Sequence, residues 1–99
     1  MNFDQINKFT PELKEIARKH GIKNIQVFGS IARGNATPES DVDFLVEMQE
    51  GASLFGAAGF AFEAERLLGV RVDIVPASVL PNITDRKFAE SIQIEALPL

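Results

Sequence analysis

The chain has 99 residues, 45% of them apolar, which suffices for one small core and expects a single domain over 1–99. A formal charge of -4 and a pI near 4.9 argue against unspecific nucleic-acid binding, because that affinity comes mainly from Lys and Arg releasing counterions. With no cysteine there is no disulfide framework, thiolate metal site or Cys nucleophile, which suits a reducing compartment and makes the cytoplasm the default expectation.

Met1 to Lys8 has no apolar run behind a basic flank, and no apolar stretch is long enough to cross a bilayer, so no membrane segment is expected. Phe3, Ile6 and Phe9 suggest an early helical turn. Thr10-Pro11 then reads as an N-cap and a first-turn proline, followed by Leu13, Ile16 and Ala17 at helical spacing up to Gly21. Arg18, Lys19 and His20 fall in the last turn, where positive charge suits the carbonyl end of the helix, so the lone His20 reads as capping surface rather than catalyst.

Ile22 to Phe28 reads as a short buried strand ending at Gly29, and Ser30 to Arg33 as a short helix. Residues 34–40 are loop by composition. Asp41 to Met48 alternates, with Val42, Phe44 and Val46 on one face and Asp41, Asp43 and Leu45 on the other. After a turn at Gln49-Glu50-Gly51, Ser53 caps a predicted helix over Leu54 to Leu68 that stops at Gly69. Its first half, Phe55 to Phe62, is apolar nearly all round and carries two glycines. These permit close approach of another element or another chain, so a buried helix and a docking face are both open.

Val70 to Val75 alternates again, with Val70, Val72 and Ile74 on one face and Arg71, Asp73 and Val75 on the other, before Pro76. Ser78 to Leu80 and Asp85 to Ile92 read as helical pieces interrupted at Pro81. Ile94 to Leu99 fits a frayed helix end or an extended tail. Tyr and Trp are absent, so any aromatic stacking on a base would rest on the eight Phe.

Asp41 and Asp43 project from the same side of a strand with α-carbons about 7 Å apart, so both can converge on metal ions. Hard divalent cations prefer such oxygen ligands, and two ions about 3.5 to 4 Å apart can activate an attacking hydroxyl and stabilise a leaving phosphate oxygen. Asp73 could add a third carboxylate or accept the proton of the incoming hydroxyl. Gly29 lets backbone approach a phosphate, Ser30 adds a hydroxyl, the N–H groups at Ile31 and Ala32 face anionic oxygens, and Arg33 can clamp the same phosphates. Singly, each of these has an ordinary structural use: a solvated strand start, a tight turn, a surface arginine. Their combination carries the chemistry: a strand, Gly-Ser, ten intervening residues, Asp-x-Asp on the polar side of a strand, then Asp on the polar side of another.

Gly29-Ser30-Ile31-Ala32-Arg33-Gly34, Ser40-Asp41-Val42-Asp43-Phe44-Leu45-Val46 and Val72-Asp73-Ile74-Val75 resemble the motifs of the DNA polymerase beta nucleotidyltransferase superfamily. More narrowly the chain resembles the minimal nucleotidyltransferase family, and Glu95-Ala96-Leu97-Pro98-Leu99 is similar to an ending common there. The resemblance implies an α/β (α+β) fold, a small mixed sheet with helices on one face and a metal site on the other. It implies Asp41, Asp43 and Asp73 as catalytic and metal-binding carboxylates, and Gly29, Ser30 and Arg33 as holders of the triphosphate. Two Mg2+ ions and ATP would be the cofactor and substrate. Many family members are antitoxins of HEPN-domain ribonuclease toxins, and some transfer AMP to a toxin tyrosine; this chain has no tyrosine, so such an acceptor would come from another molecule. The domains by which larger relatives bind tRNA, primer or antibiotic have no counterpart in these 99 residues, and nucleic acid is not an expected partner. The Gly- and Phe-rich 55–62 stretch departs from the family's middle helix and leaves an oligomer open. Two other readings stand beside adenylylation of a partner: an antitoxin that neutralises by binding alone, and a nucleotidyltransferase acting on a small molecule or an RNA end.

Overall fold

A computed structural model describes residues 1–99. The first turn, α1 (Phe3–Asn7), is held by a capping box in which Asn2 Oδ1 accepts from the Gln5 N–H and the Asn2 N–H donates to Gln5 Oε1, both at 2.8 Å. Helix α2 (Thr10–Lys19) starts one residue earlier than a Thr10 cap implies. Phe9 is the cap residue, and the Thr10 hydroxyl donates to Asn7 Oδ1 at 2.9 Å, so it joins α1 to α2 instead. Pro11 sits in the first turn, where its missing N–H costs nothing.

Strand β1 (Ile22–Phe28) runs into α3 (Gly29–Arg33), and a loop leads to β2 (Val42–Met48). Helix α4 (Phe55–Leu68) crosses over to β3 (Val72–Pro76). A 3-10 helix (Ala77–Asn82), α5 (Arg86–Glu95) and a two-residue β4 (Leu97–Pro98) complete the chain. The sheet order is β3-β2-β1-β4, with β2 and β3 parallel and the other two pairings antiparallel. This is the expected small mixed sheet. The helical crossover through α4 is what a parallel neighbour requires.

Ile25 and Val27 of β1, Val42, Phe44 and Val46 of β2, and Val72 of β3 meet Ile6, Leu13, Ala17, Phe60, Ala64 and Leu68 of α1, α2 and α4 in the main core. The Phe44 and Phe60 rings pack edge to face with centroids 5.6 Å apart. The two glycines of α4 bring this helix against α2. A Cβ at Gly56 would fall on the carbonyl oxygen of His20, and one at Gly59 would lie 2.6 Å from the His20 ring. His20 also bonds Glu63, which Lys19 reaches at 2.6 Å, so the end of α2 is tied to the middle of α4. The glycines therefore admit another element of the same chain. Leu54 at the cap, and Phe55 and Phe62 on the side of α4 away from its buried residues, are exposed.

The other face of the sheet is apolar only at one end. Phe28 and Leu45 meet Leu80 of the 3-10 helix and Ile92 of α5 in a second, smaller cluster. Pro81 lies inside the 3-10 helix rather than interrupting it, and the break falls later, where Asp85 caps α5 by accepting from the Phe88 N–H at 3.1 Å. Residues 97–98 settle the open alternative for the tail, since Leu97 and Pro98 pair with Val27 and Gln26 of β1.

Candidate active site

At the end of β1 the backbone turns sharply, from extended Phe28 to Gly29 at φ +75°. Phe28 is paired with Asp43 across the antiparallel ladder, and Asp43 is paired with Asp73 across the parallel one. The turn and two of the carboxylates therefore stand in one row across the sheet. Strand alternation places Asp43 and Asp73 on the face away from Phe44 and Val72. The glycine is required by the aspartate: a Cβ at Gly29 would fall on Asp43 Oδ2. Close approach of the Gly-Ser backbone is thus first an approach to the neighbouring carboxylate.

A cleft of about 430 Å³ opens over this row, lined by Gly29, Ser30, Arg33, Asp43 and Asp73 on one side and by α5 on the other. A larger cavity, about 520 Å³, lies between α2 and the β1 side of the sheet and holds none of the three aspartates. Asp41 precedes the first paired residue of β2 and stands at the margin of the cleft rather than in its wall. Arg33 reaches Glu95 of α5 at 3.0 Å, which pins the two walls together at one end.

The electrostatics follow from this crowding. Partial burial, together with the charges of Asp73 and then Asp41, pushes the Asp43 carboxyl up to about 6, against a smaller opposing pull from Arg33. No three carboxylates or imidazoles are drawn together tightly enough to form a ready-made metal cage. The donor set nevertheless suits a hard cation in kind: oxygen ligands side by side, with a repulsion that bound positive charge would relieve. Magnesium in particular is commonly held by one or two carboxylates, with waters and substrate phosphates completing its shell. The residues fit such an ion.

Of the residues singled out in the sequence, the structure gathers Gly29, Ser30, Arg33, Asp43 and Asp73 in one cleft and leaves Asp41 beside it. Phe88, Ser91 and Glu95 also line the cleft and were missed. Their spacing of three and four is that of one helix face, a signal present in the sequence. The sequence pattern predicts a helix only as far as Ile92, whereas α5 runs on to Glu95.

Comparisons with known proteins bear on the family and the fold. Residues 6–98 match the family model described as the nucleotidyltransferase domain. A protein adenylyltransferase, MntA, of Thermococcus cleftensis is 44% identical over 73 residues, covering 74% of each chain. A candidate protein adenylyltransferase of Methanocaldococcus jannaschii, MJ0435, is 37% identical over 90 residues, covering 90% of this chain and 97% of the relative. A solved candidate minimal nucleotidyltransferase superposes with a TM-score of 0.79 at 36% identity over 100% of this chain and 97% of the other. A toxin-antitoxin structure with AMP-PNP, 17% identical, shares the fold with a TM-score of 0.67 over 89% of this chain and 69% of that one. With the match running through nearly its whole length, and the Gly-Ser turn and paired aspartates facing one cleft, the chain belongs to the nucleotidyltransferase domain family.

Proposed function

We propose that the chain transfers AMP from ATP to a partner protein, in a magnesium-dependent reaction in the cytoplasm, and thereby acts as an antitoxin. The acceptor in this reading is a tyrosine of a HEPN-domain ribonuclease toxin. The observation that carries it is the pairing of Asp43 with Asp73 abreast on parallel strands, beside the Gly29-Ser30 turn in the same cleft. The relatives named protein adenylyltransferase support the choice of acceptor class.

Asp43 and Asp73, assisted by Asp41, would hold the magnesium, which supplies neutralisation of the triphosphate and of the charge on the departing pyrophosphate. The chain's own residues do the rest. The Gly29-Ser30 turn and the Arg33 guanidinium bind and orient the β- and γ-phosphates, so that the α-phosphorus faces the carboxylates. The acceptor oxygen forms a bond to that phosphorus, the bond to the bridging α–β oxygen breaks, and pyrophosphate leaves. Asp73, exposed at the cleft mouth, takes the acceptor proton. The test is incubation with labelled ATP, magnesium and a HEPN toxin encoded beside the gene: label should pass to the toxin. Transfer surviving Asp41→Asn with Asp43→Asn sinks the mechanism.

A second reading, an antitoxin that neutralises its partner by binding alone, is favoured by the exposed Leu54 at the start of α4 and Phe55 and Phe62 along it. Under it, the same double variant would neutralise the toxin fully, with no mass gain on the toxin.

A further inference from the structure

We propose that Phe88 is the platform on which the base of the incoming nucleoside triphosphate stacks. This rests on the nucleotidyl transfer proposed above and adds what that reading leaves blank, the site of the base. Two phenylalanines line the cleft; Phe28 is buried in the second cluster, whereas Phe88 is 50% exposed. An apolar ring left half in solvent, in the wall of a cleft that also carries charged side chains, has surface free for a ligand.

Its position along α5 fits. Glu95, at the far end of the same helix face, is joined to Arg33 and so marks the end of the cleft that holds the Gly-Ser turn. Glu95 comes seven positions after Phe88, which at the helical rise is about 10 Å. That span suits a nucleoside lying along α5 with its phosphates at the Arg33 end. Ser91, between the two on the same face, donates its hydroxyl proton to the Phe88 carbonyl at 2.8 Å. Its oxygen therefore meets the cleft as an acceptor, suited to a ribose hydroxyl or an exocyclic amine.

The mount is stiff. Asp85 caps the turn that carries Phe88, and Arg86 donates to the carbonyls of Leu80 and Ile83, each at 3.1 Å. Ala89 and Ile92, on the adjoining side of the helix, are buried and fix α5 to the sheet. A ring held this way loses little freedom when a base covers it, which is the property a stacking platform needs.

The absence of Tyr and Trp provides a clean probe. Phe88→Trp places a single indole at the proposed platform, and Phe55→Trp, 88% exposed on α4, places one outside the cleft. With magnesium present, ATP should quench Phe88→Trp fluorescence and leave Phe55→Trp unchanged, while inorganic tripolyphosphate, which lacks a base, should quench neither. Phe88→Ala should weaken equilibrium ATP binding roughly 5- to 100-fold, the factor expected for one lost base–aromatic stack. Phe88→Leu, which keeps an apolar side chain on the helix, should weaken it by a similar factor. If the unsubstituted chain binds ATP and the Ala and Leu variants bind it equally well, or if tripolyphosphate quenches Phe88→Trp as ATP does, the platform is refuted while the proposed function stands. If the unsubstituted chain binds no ATP, both fall.

Discussion

Replacing Asp43 by asparagine should make the metal-free protein more stable, although it removes a residue at the centre of the site. The Asp43 carboxyl is raised from 3.8 to about 6, first by partial burial and then by its like-charged neighbours Asp73 and Asp41. Such a rise means that the fold favours the protonated form. Stability on this account is complete below about pH 4, is lost as pH climbs through about 6, and reaches its full deficit above that. The rise corresponds to a ceiling of ~3 kcal/mol. Asp43 is only partly buried, so solvent screening cuts this to about 1.5 kcal/mol. For a chain of this length that is about 6 to 12 °C in Tm. Thermal unfolding of both proteins in EDTA across pH 4 to 8 measures it. Asp43→Asn should match the parent near pH 4 and exceed it at pH 8. Magnesium and nucleotide should then stabilise the parent and not the variant, since only a ligand bound to the native state shifts the equilibrium. An asparagine variant that is less stable at pH 8, or whose advantage does not change with pH, would refute the reasoning.

Other substitutions probe the fold around the site. Gly56→Ala, which in an open helix would gain about 1 kcal/mol, should instead lower stability by roughly 2 kcal/mol in urea unfolding, because its Cβ falls on the His20 backbone carbonyl. Gly29→Ala should destabilise by about 1 to 2 kcal/mol from its positive φ alone, and by more while Asp43 is present; combining it with Asp43→Ala should recover the excess, and simple additivity would refute the steric coupling. Ile92→Ala should cost about 2 to 4 kcal/mol and weaken nucleotide binding as well, because it loosens α5 from Phe28 and Leu45; loss of stability with unchanged ATP affinity would show that α5 is no part of the site. Glu95→Gln should change stability by less than about 1 kcal/mol, as the loss of an exposed ion pair does, yet tighten ATP binding by freeing Arg33.

What could be read from the sequence was whatever depends on local pattern. Val42, Phe44 and Val46 alternate with Asp43 and Leu45, so the face on which Asp43 stands follows from period two alone, and the same holds for Asp73 between Val72 and Ile74. What escaped depends on partners distant in the chain. Leu45 shares the polar face by alternation but is buried, because the 3-10 helix and α5 arrive there from much later in the chain. Leu97 and Pro98 have no strand signal of their own and become a strand only by pairing with β1. The strand after α4 begins at Val72 rather than Val70, because the ladder with β2 opens at Val42. Gly56 and Gly59 announced a close approach, but only the position of His20 says by what.

The same distinction bears on how the site is built. Gly29 and Asp43 look in sequence like two motifs with two tasks, one for phosphate and one for metal. Across the ladder they are one steric unit, since the space a side chain at 29 would need is filled by the carboxylate at 43. Asp43 in turn is abreast of Asp73, and partial burial together with that neighbouring charge raises its affinity for a proton. A fold selected for stability alone would relax that repulsion or fill the cleft with apolar side chains. Here the main core lies on the other face, under α1, α2 and α4, and α5 is anchored at the end of the charged face without covering the aspartates. The strain is thus confined to a row three strands wide, where a bound cation would offset the carboxylate charge. The apolar packing beneath supplies the rigidity that keeps the row from spreading when the ligand is absent.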